Sequence, residues 1–185
     1  EENSRRGIFA AALVKKGRFD SARARNVRGD FSRNLLKLSL RLEGKPLDLF
    51  VVHLKSQHGE DLGIEQRVYE VRRLCKAVPL SSCVVMGDFN GILIPGHAQF
   101  EFEPFMRLPY RDVLEALAVP AAERFTHYYF GRRGPNFAQL DYIFCSNDLE
   151  VLGGGTLVDI VPINAEQKRR LPSDHVFITA TIGLP

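Results

Sequence analysis

Apolar and polar residues fall into blocks of different period along the chain, and each period suits a different element. Leu36, Leu38, Leu40 and Leu42 alternate with Lys37, Ser39, Arg41 and Glu43, the two-residue period of a strand with one face in water. Glu43-Gly44-Lys45-Pro46 breaks the alternation, and Leu47 to Leu54 (LDLFVVHL) follows as a more buried strand, so a hairpin is predicted across the break. Earlier, Gly7 to Val14 (GIFAAALV) is a continuous apolar run. It reads as a buried strand, followed by a basic loop to about Arg33. At Ile64 the period changes: Ile64, Val68, Val71, Leu74, Cys75 and Val78 recur at helical spacing, with Glu65, Gln66, Arg67, Glu70, Arg72 and Arg73 between them. This predicts an amphipathic helix on a sheet, ended by Pro79.

Four shorter segments complete the pattern. Ser82 to Met86 is a β-branched run stopped by Gly87, residues 111 to 118 suit a short helix, and Gln139 to Cys145 and Val176 to Ile182 read as strands. Strands outnumber helices in mixed order, which points to an α/β or α+β domain with layers packed on sheets. No repeat or Pro/Gly/Ser linker divides the 185 residues, so residues 1–185 read as a single domain.

Composition narrows the class. Hydrophobic residues at 45% and charged residues at 25% match ordinary folded domains and exclude a disordered or collagen-like chain. No apolar run approaches the roughly 18 residues of a membrane-spanning helix, so no membrane insertion is expected. Cys75, Cys83 and Cys145 are odd in number and form no CxxC pair, which suggests free buried thiols rather than a disulfide or zinc framework. The first residues carry no basic-then-apolar leader, and the absence of an initiating Met leaves room for an upstream segment. The net charge of +3 is uneven: residues 1 to 33 hold nine Lys/Arg and four acids. Such a stretch suits phosphate contact or a solvated basic loop.

Candidate chemistry gathers at the C-terminal ends of apolar strands, where sheet proteins tend to build sites. It lies in His53 of HLKS, Asp88 and Asn90 of GDFN, Asp141 of QLDY, and Asp174 and His175 of PSDH. In an extended backbone Asp88 and Asn90 leave the same face and Phe89 turns to the other. A carboxylate able to take a proton or bind a cation then shares a pocket with an amide able to donate to a phosphoryl oxygen. Taken alone, the same residues suit a Gly-Asp turn capped by Asn90. Asp141 is placed to hold the Nδ1 proton of His175, which would then present Nε2 to substrate, although a turn-capping Asp174 and an incidental His175 fit as well. His53, His58, His97 and His127 each also suit a satisfied structural histidine. Gly153-Gly154-Gly155 lacks the Lys-Ser/Thr of a phosphate-binding loop and reads as a flexible turn or bulge. Phe100, Phe102, Phe105 and Tyr110 read as core.

In their order, HLKS (53 to 56), GDFN (87 to 90), LDYIFCS (140 to 146) and SDH (173 to 175) resemble the endonuclease/exonuclease/phosphatase superfamily over essentially the whole chain from Gly7. The resemblance implies a four-layer sandwich of two mixed β-sheets flanked by helices, and cleavage of phosphoester bonds with Mg²⁺ (or Mn²⁺/Ca²⁺). It implies that His53 binds the scissile phosphate or assists the leaving oxygen, and that Asp88 orients or deprotonates the attacking water while Asn90 holds both it and the phosphate. Asp174 would lie at the metal with Asp88 as a second metal-site carboxylate, and the Asp141–His175 dyad would stabilise the transition state. Family members place an Asn and a metal-binding Glu on strands upstream of the segment that is here Arg6-Gly7-Ile8, so the chain resembles the C-terminal two-thirds of the domain. The expected activity is that of a phosphodiesterase, with nucleic acid as substrate. Lys168-Arg169-Arg170 and the basic front supply electrostatic support. A phosphatase or phospholipase of the same architecture, and a nucleic-acid-binding fragment without turnover, are the alternatives.

Overall fold

The computed structural model describes residues 8–57, 63–131, 134–157, 166 and 173–185. Arg5, Arg6, Gly7, His58, Lys168 to Arg170 and Pro172, which entered the sequence reading, lie outside the described residues.

The predicted hairpin forms from β2 (Leu35–Leu42) and β3 (Lys45–His53), paired antiparallel from Leu36↔Val51 to Leu42↔Lys45. Glu43 and Gly44 form the two-residue turn, both at positive φ (51° and 77°), the backbone that matches the twist of the flanking strands. Chain direction then reverses through α1 (Ile64–Ala77), which returns the chain to β4 (Cys83–Asp88) parallel to β3. Val71, Leu74 and Val78 pack from the helix side onto Phe50, Val52, Val85 and Phe144.

Two expectations fail at the front of the chain. The stretch read as a basic loop contains β1 (Ser21–Val27), an edge strand antiparallel to β2 whose first six residues are exposed. Backbone pairing with the open side of β2 outweighs the polar composition here, and arginines on an edge strand also discourage further pairing. Conversely, the described part of the apolar run before it, residues 8–14, forms no strand. Ile8, Phe9, Leu13 and Val14 are exposed, because an apolar run becomes a buried strand only where a neighbouring strand pairs with it. Asn34 instead grips the backbone of Ala10, accepting from its N–H at 2.5 Å and donating to its carbonyl at 3.2 Å.

The rest of the chain completes the main sheet. After a 3₁₀ turn at Phe100–Phe102 come the short helix α2 (Glu103–Met106), β5 (Tyr110–Asp112) and the short helix α3 (Val113–Ala116). A ribbon of β6 (His127–Gly131) and β7 (Gly134–Ala138) follows, then β8 (Asp141–Ser146), β9 (Glu150–Thr156) and β10 (Ile178–Gly183). The mixed six-stranded sheet has the order β1-β2-β3-β4-β8-β5, and β9 pairs antiparallel with β10. This mixed α+β architecture agrees with the expected class. Val84, Val113, Ile143, Cys145 and Leu149 form a second core under Val151, Ile178, Ala180 and Ile182 of the β9–β10 pair. Among the described residues this pair and the β6–β7 ribbon are separate two-stranded antiparallel sheets beside the one mixed sheet.

Three local readings are corrected. Gly153 to Gly155 lie inside β9 rather than in a turn, while the bulge alternative holds beside them, where the register against β10 shifts between Gly153 and Val151. A side chain on Gly154 would meet the Thr179 carbonyl oxygen at 2.3 Å, so the close approach of the strands requires glycine at this position, whereas Gly153 and Gly155 face open space. Phe102 and Phe105 are core, but Phe100 is 62% exposed. The polar residues of α1 do not all face water: Arg67 and Glu70 are fully buried. Arg67 donates to Glu101 at 2.8 and 3.1 Å and to the Lys55 carbonyl, while Glu70 accepts from the backbone N–H groups of Ser32 and Lys55. Each buried charge is thus compensated.

Candidate active site

The site begins as a row of register partners. His53 ends β3, Asp88 ends β4 and Asp141 starts β8, with His53 opposite Asp88 and Asp88 opposite Asp141. Because β8 runs antiparallel to β4, its first residue meets the ends of the two parallel strands. Directly opposed residues project from the same face, so three polar side chains converge where the sheet stops.

Asp88-Phe89-Asn90 divides as its spacing predicts. Phe89 is fully buried against Phe102, Phe105, Tyr142 and Phe144, with ring centroids 5.4 to 6.5 Å away. Asn90, in the left-handed region at φ 50°, donates its backbone N–H to Asp88 Oδ1 at 2.7 Å and its amide to Asp88 Oδ2 at 2.9 Å and to the Leu54 carbonyl at 3.0 Å. The amide therefore fixes the carboxylate in place. Gly87 lets the two strands meet: at φ 126°, a Cβ there would lie 2.1 Å from the Val52 carbonyl oxygen.

His175 arrives from the other end of the chain. An isolated bridge pairs it with His127, flanked by Tyr128 N–H donating to the Asp174 carbonyl and Val176 N–H to that of Thr126. Its Nδ1 lies 2.6 Å from Asp141 Oδ2, the pairing expected from sequence. His53 Nε2 is 3.5 Å from Asp88 Oδ2. Asp174, with a side chain 48% exposed, places Oδ2 3.7 Å from His127 Nε2.

Electrostatics separate these groups. Burial, and then the adjacent Asp141 carboxylate, push Asp88 up to about 6, against the hydrogen bond from Asn90 and the nearby His175 and Arg33. Burial, Arg33 and His175 hold His53 below its ordinary value, with Asp141 opposing. Burial also works against charge on His175, but the hydrogen bond and charge of Asp141, with Asp88 and Asp174 beyond, outweigh it and raise that imidazole. At neutral pH the row therefore offers an ionised carboxylate of raised basicity, a neutral His53 and a His175 biased towards the cation.

A cleft of about 1100 Å³ opens over this row. His53, Asp88, Asn90, Asp174 and His175 line it, and Asp141 reaches it through His175. His127, Arg124, Gln57 and the ribbon residues Tyr129 and Phe137 line it as well. His127 reads from sequence as a structural histidine, and nothing in the sequence marks Arg33, whose charge reaches both His53 and Asp88. No spacing signals either one, since their partners are far away in the chain. His97 is not among the residues lining the cleft. The exposed arginines of β1 are not among them either, so the basic front enters the site's electrostatics through Arg33.

Comparison with known proteins places this fold. A search of curated proteins finds no match. Among solved structures, D. rerio TDP2 complexed with a single-strand DNA product superposes with a TM-score of 0.63 at 20% identity, covering 87% of this chain and 67% of that one. An endonuclease/exonuclease/phosphatase from Beutenbergia cavernae gives 0.62 at 18%, covering 89% of this chain and 44% of the other. The endonuclease domain of TRAS1, a telomere-specific non-LTR retrotransposon, gives 0.55 at 12%, covering 88% and 69%. The chain thus spans 44 to 69% of the length of these structures, which share its fold. A sequence model of the Endonuclease/Exonuclease/phosphatase family matches residues 4–175, from before the exposed apolar run to His175 itself. The chain belongs to the endonuclease/exonuclease/phosphatase family.

Proposed function

We propose that the cleft hydrolyses phosphodiester bonds of nucleic acid with the help of a divalent cation, Mg²⁺ or alternatively Mn²⁺ or Ca²⁺. The observation that carries this reading is the convergence of His53, Asp88, Asn90 and the Asp141–His175 dyad on one end of the sheet, in a chain of a phosphoesterase family. In this reading Asp88, held by Asn90 from two sides, accepts the proton of a water attacking phosphorus. Its raised affinity for a proton suits a general base near neutral pH. His175 donates from Nε2 to a phosphoryl oxygen, with Asp141 fixing the tautomer and compensating the imidazolium. His53, kept neutral, binds the phosphate or assists the leaving oxygen, and the Asn90 amide orients water and phosphate.

The donor set suits a divalent cation. Asp174 opens a hard oxygen to the cleft, and Asp88, raised by burial and by the adjacent Asp141 charge, is a second carboxylate that a nearby cation would stabilise. Asp174 would hold the ion, with Asp88 as its second carboxylate. When bound, a hard cation of this kind polarises the phosphoryl oxygen and stabilises developing negative charge.

Support for a nucleic-acid substrate comes from the single-strand DNA product held by the D. rerio TDP2 structure and from the size of the cleft, at the upper end of sites for small organic molecules. The test is Mg²⁺-dependent hydrolysis of bis-p-nitrophenyl phosphate and nicking of supercoiled plasmid. Activity is expected to vanish with EDTA and to fall by about 10² to 10⁴ in His175→Ala, the usual weight of an acid–base group. Unchanged turnover in that variant overturns the assignment of roles. Preferential release of phosphate from small monoesters would indicate a phosphatase instead, and salt-sensitive binding without turnover would indicate a binding module.

A further inference from the structure

Among the described residues, His127, Asp174 and His175 form a group in which one ligand atom from each lies within 4.8 Å of the others. The group is assembled by backbone pairing rather than by flexible loops. His127 and His175 oppose one another across the bridge, so both imidazoles rise from the same side, with ring centroids 4.8 Å apart. Asp174 is fixed beside them by the Tyr128 N–H on its carbonyl, and the turn around it is closed by His175 N–H donating to Ser173 Oγ at 3.0 Å. The Tyr128 hydroxyl donates to the Ser173 carbonyl at 2.5 Å. His127 Nε2 and Asp174 Oδ2, at 3.7 Å, are close to the roughly 3.3 Å that separates neighbouring ligands around tetrahedral zinc.

The chemistry of this trio differs from that of the carboxylate row. Two imidazoles and one carboxylate suit a borderline transition metal, whereas Mg²⁺ takes oxygen ligands and keeps its waters. The trio also carries the outer support that such sites use: Asp141 holds Nδ1 of His175 and leaves Nε2 as the nitrogen available for a metal. The group faces the cleft, so a tetrahedral ion would retain an open position for water or a phosphate oxygen.

We propose that His127, His175 and Asp174 form a site for a borderline divalent transition metal, of which Zn²⁺ is the representative, and that filling it blocks phosphodiester hydrolysis. The inhibitory part rests on the function proposed above. A metal on Nε2 of His175 removes the group that would face the phosphate, and a metal on Asp174 removes a carboxylate that would hold Mg²⁺. Metal binding itself stands on the geometry alone.

The experiment titrates Zn²⁺ into the full chain by calorimetry and Co²⁺ by visible absorption, each in excess Mg²⁺. One ion is expected per chain, with the intense bands of low-coordinate Co²⁺ and no displacement by Mg²⁺. His127→Ala should weaken Zn²⁺ binding by at least ~10-fold and abolish those bands, as expected for loss of one of three ligands. His127→Gln should do the same, with circular dichroism confirming that each variant is folded. The Zn²⁺ concentration that halves Mg²⁺-supported hydrolysis should rise in parallel. Absence of Zn²⁺ binding, equal affinity in a folded His127 variant, or displacement by equimolar Mg²⁺ overturns the site. Zn²⁺ bound through His127 without inhibiting an active enzyme overturns the inhibitory part. A chain that binds Co²⁺ through His127 yet hydrolyses no phosphodiester keeps the site and overturns the hydrolase reading instead.

Discussion

At the scale of single residues, the site depends as much on an absent side chain as on those present. Gly87 immediately precedes Asp88, and no side chain fits between it and the Val52 carbonyl. Gly87→Ala combines a strained positive φ with an overpacked contact, each costing about 1 to 3 kcal/mol. The variant should therefore lose about 2 to 6 kcal/mol in urea unfolding, and any residual folded protein should have a displaced Asp88 and low turnover. The cysteines make the opposite point. Cys75, Cys83 and Cys145 are free, and burial pushes their thiols up to about 11, 12 and 12. Thiolate is the reactive form, so none should react quickly with a disulfide reagent in the native protein at pH 8, and all three should react after unfolding. A fast native thiol would contradict the burial described here.

At the scale of elements, α1 shows why periodicity was informative and incomplete. The spacing of Val71, Leu74 and Val78 predicts the helix and the face it lays on the sheet. It cannot predict that Arg67 and Glu70 are buried too, because their partners Glu101, Lys55 and Ser32 come from distant segments. Arg67 and Glu101 are both almost fully buried, with side chains 1% and 2% exposed, so removing one leaves the other without compensation. Arg67→Ala should cost about 3 to 5 kcal/mol, whereas Arg67→Met with Glu101→Leu should recover much of that loss. Thermal unfolding of these two variants beside the unmodified chain decides this. A double variant no more stable than Arg67→Ala would mean that the contact to the Lys55 carbonyl, rather than the ion pair, is what matters. The failures of pattern reading have the same origin. β1 is a strand because β2 offers it an edge, while residues 8–14 are apolar yet form no strand.

At the scale of the whole molecule, the cleft joins residues more than 120 positions apart, from His53 to His175, so site and fold should fail together. Charge makes a further prediction. Arg33 and Arg124 bring positive charge to a cleft otherwise furnished with carboxylates, and each phosphate neutralised releases counterions. The affinity of an oligonucleotide should fall as salt rises, with a log–log slope of about −0.7 per phosphate contacted on a single strand. Fluorescence anisotropy across a salt series measures it, and a flat line would argue against a nucleic-acid partner.

Local order is legible in the chain: the hairpin, the amphipathic helix, the division of Asp88, Phe89 and Asn90 between site and core, and the ordered motifs that mark the family. These are legible because they rest on periods of two to four residues and on turn chemistry. The meeting of His175 with Asp141 was legible only through the resemblance and the placement of polar groups at strand ends. Folding settled the rest. It buried Arg67 and Glu70, made a strand of an arginine-rich stretch, left an apolar run exposed, brought Arg33 to act on Asp88, and set His127 beside Asp174 and His175. Each of these depends on a contact between residues far apart in the chain, and such a contact leaves no periodic trace in one sequence.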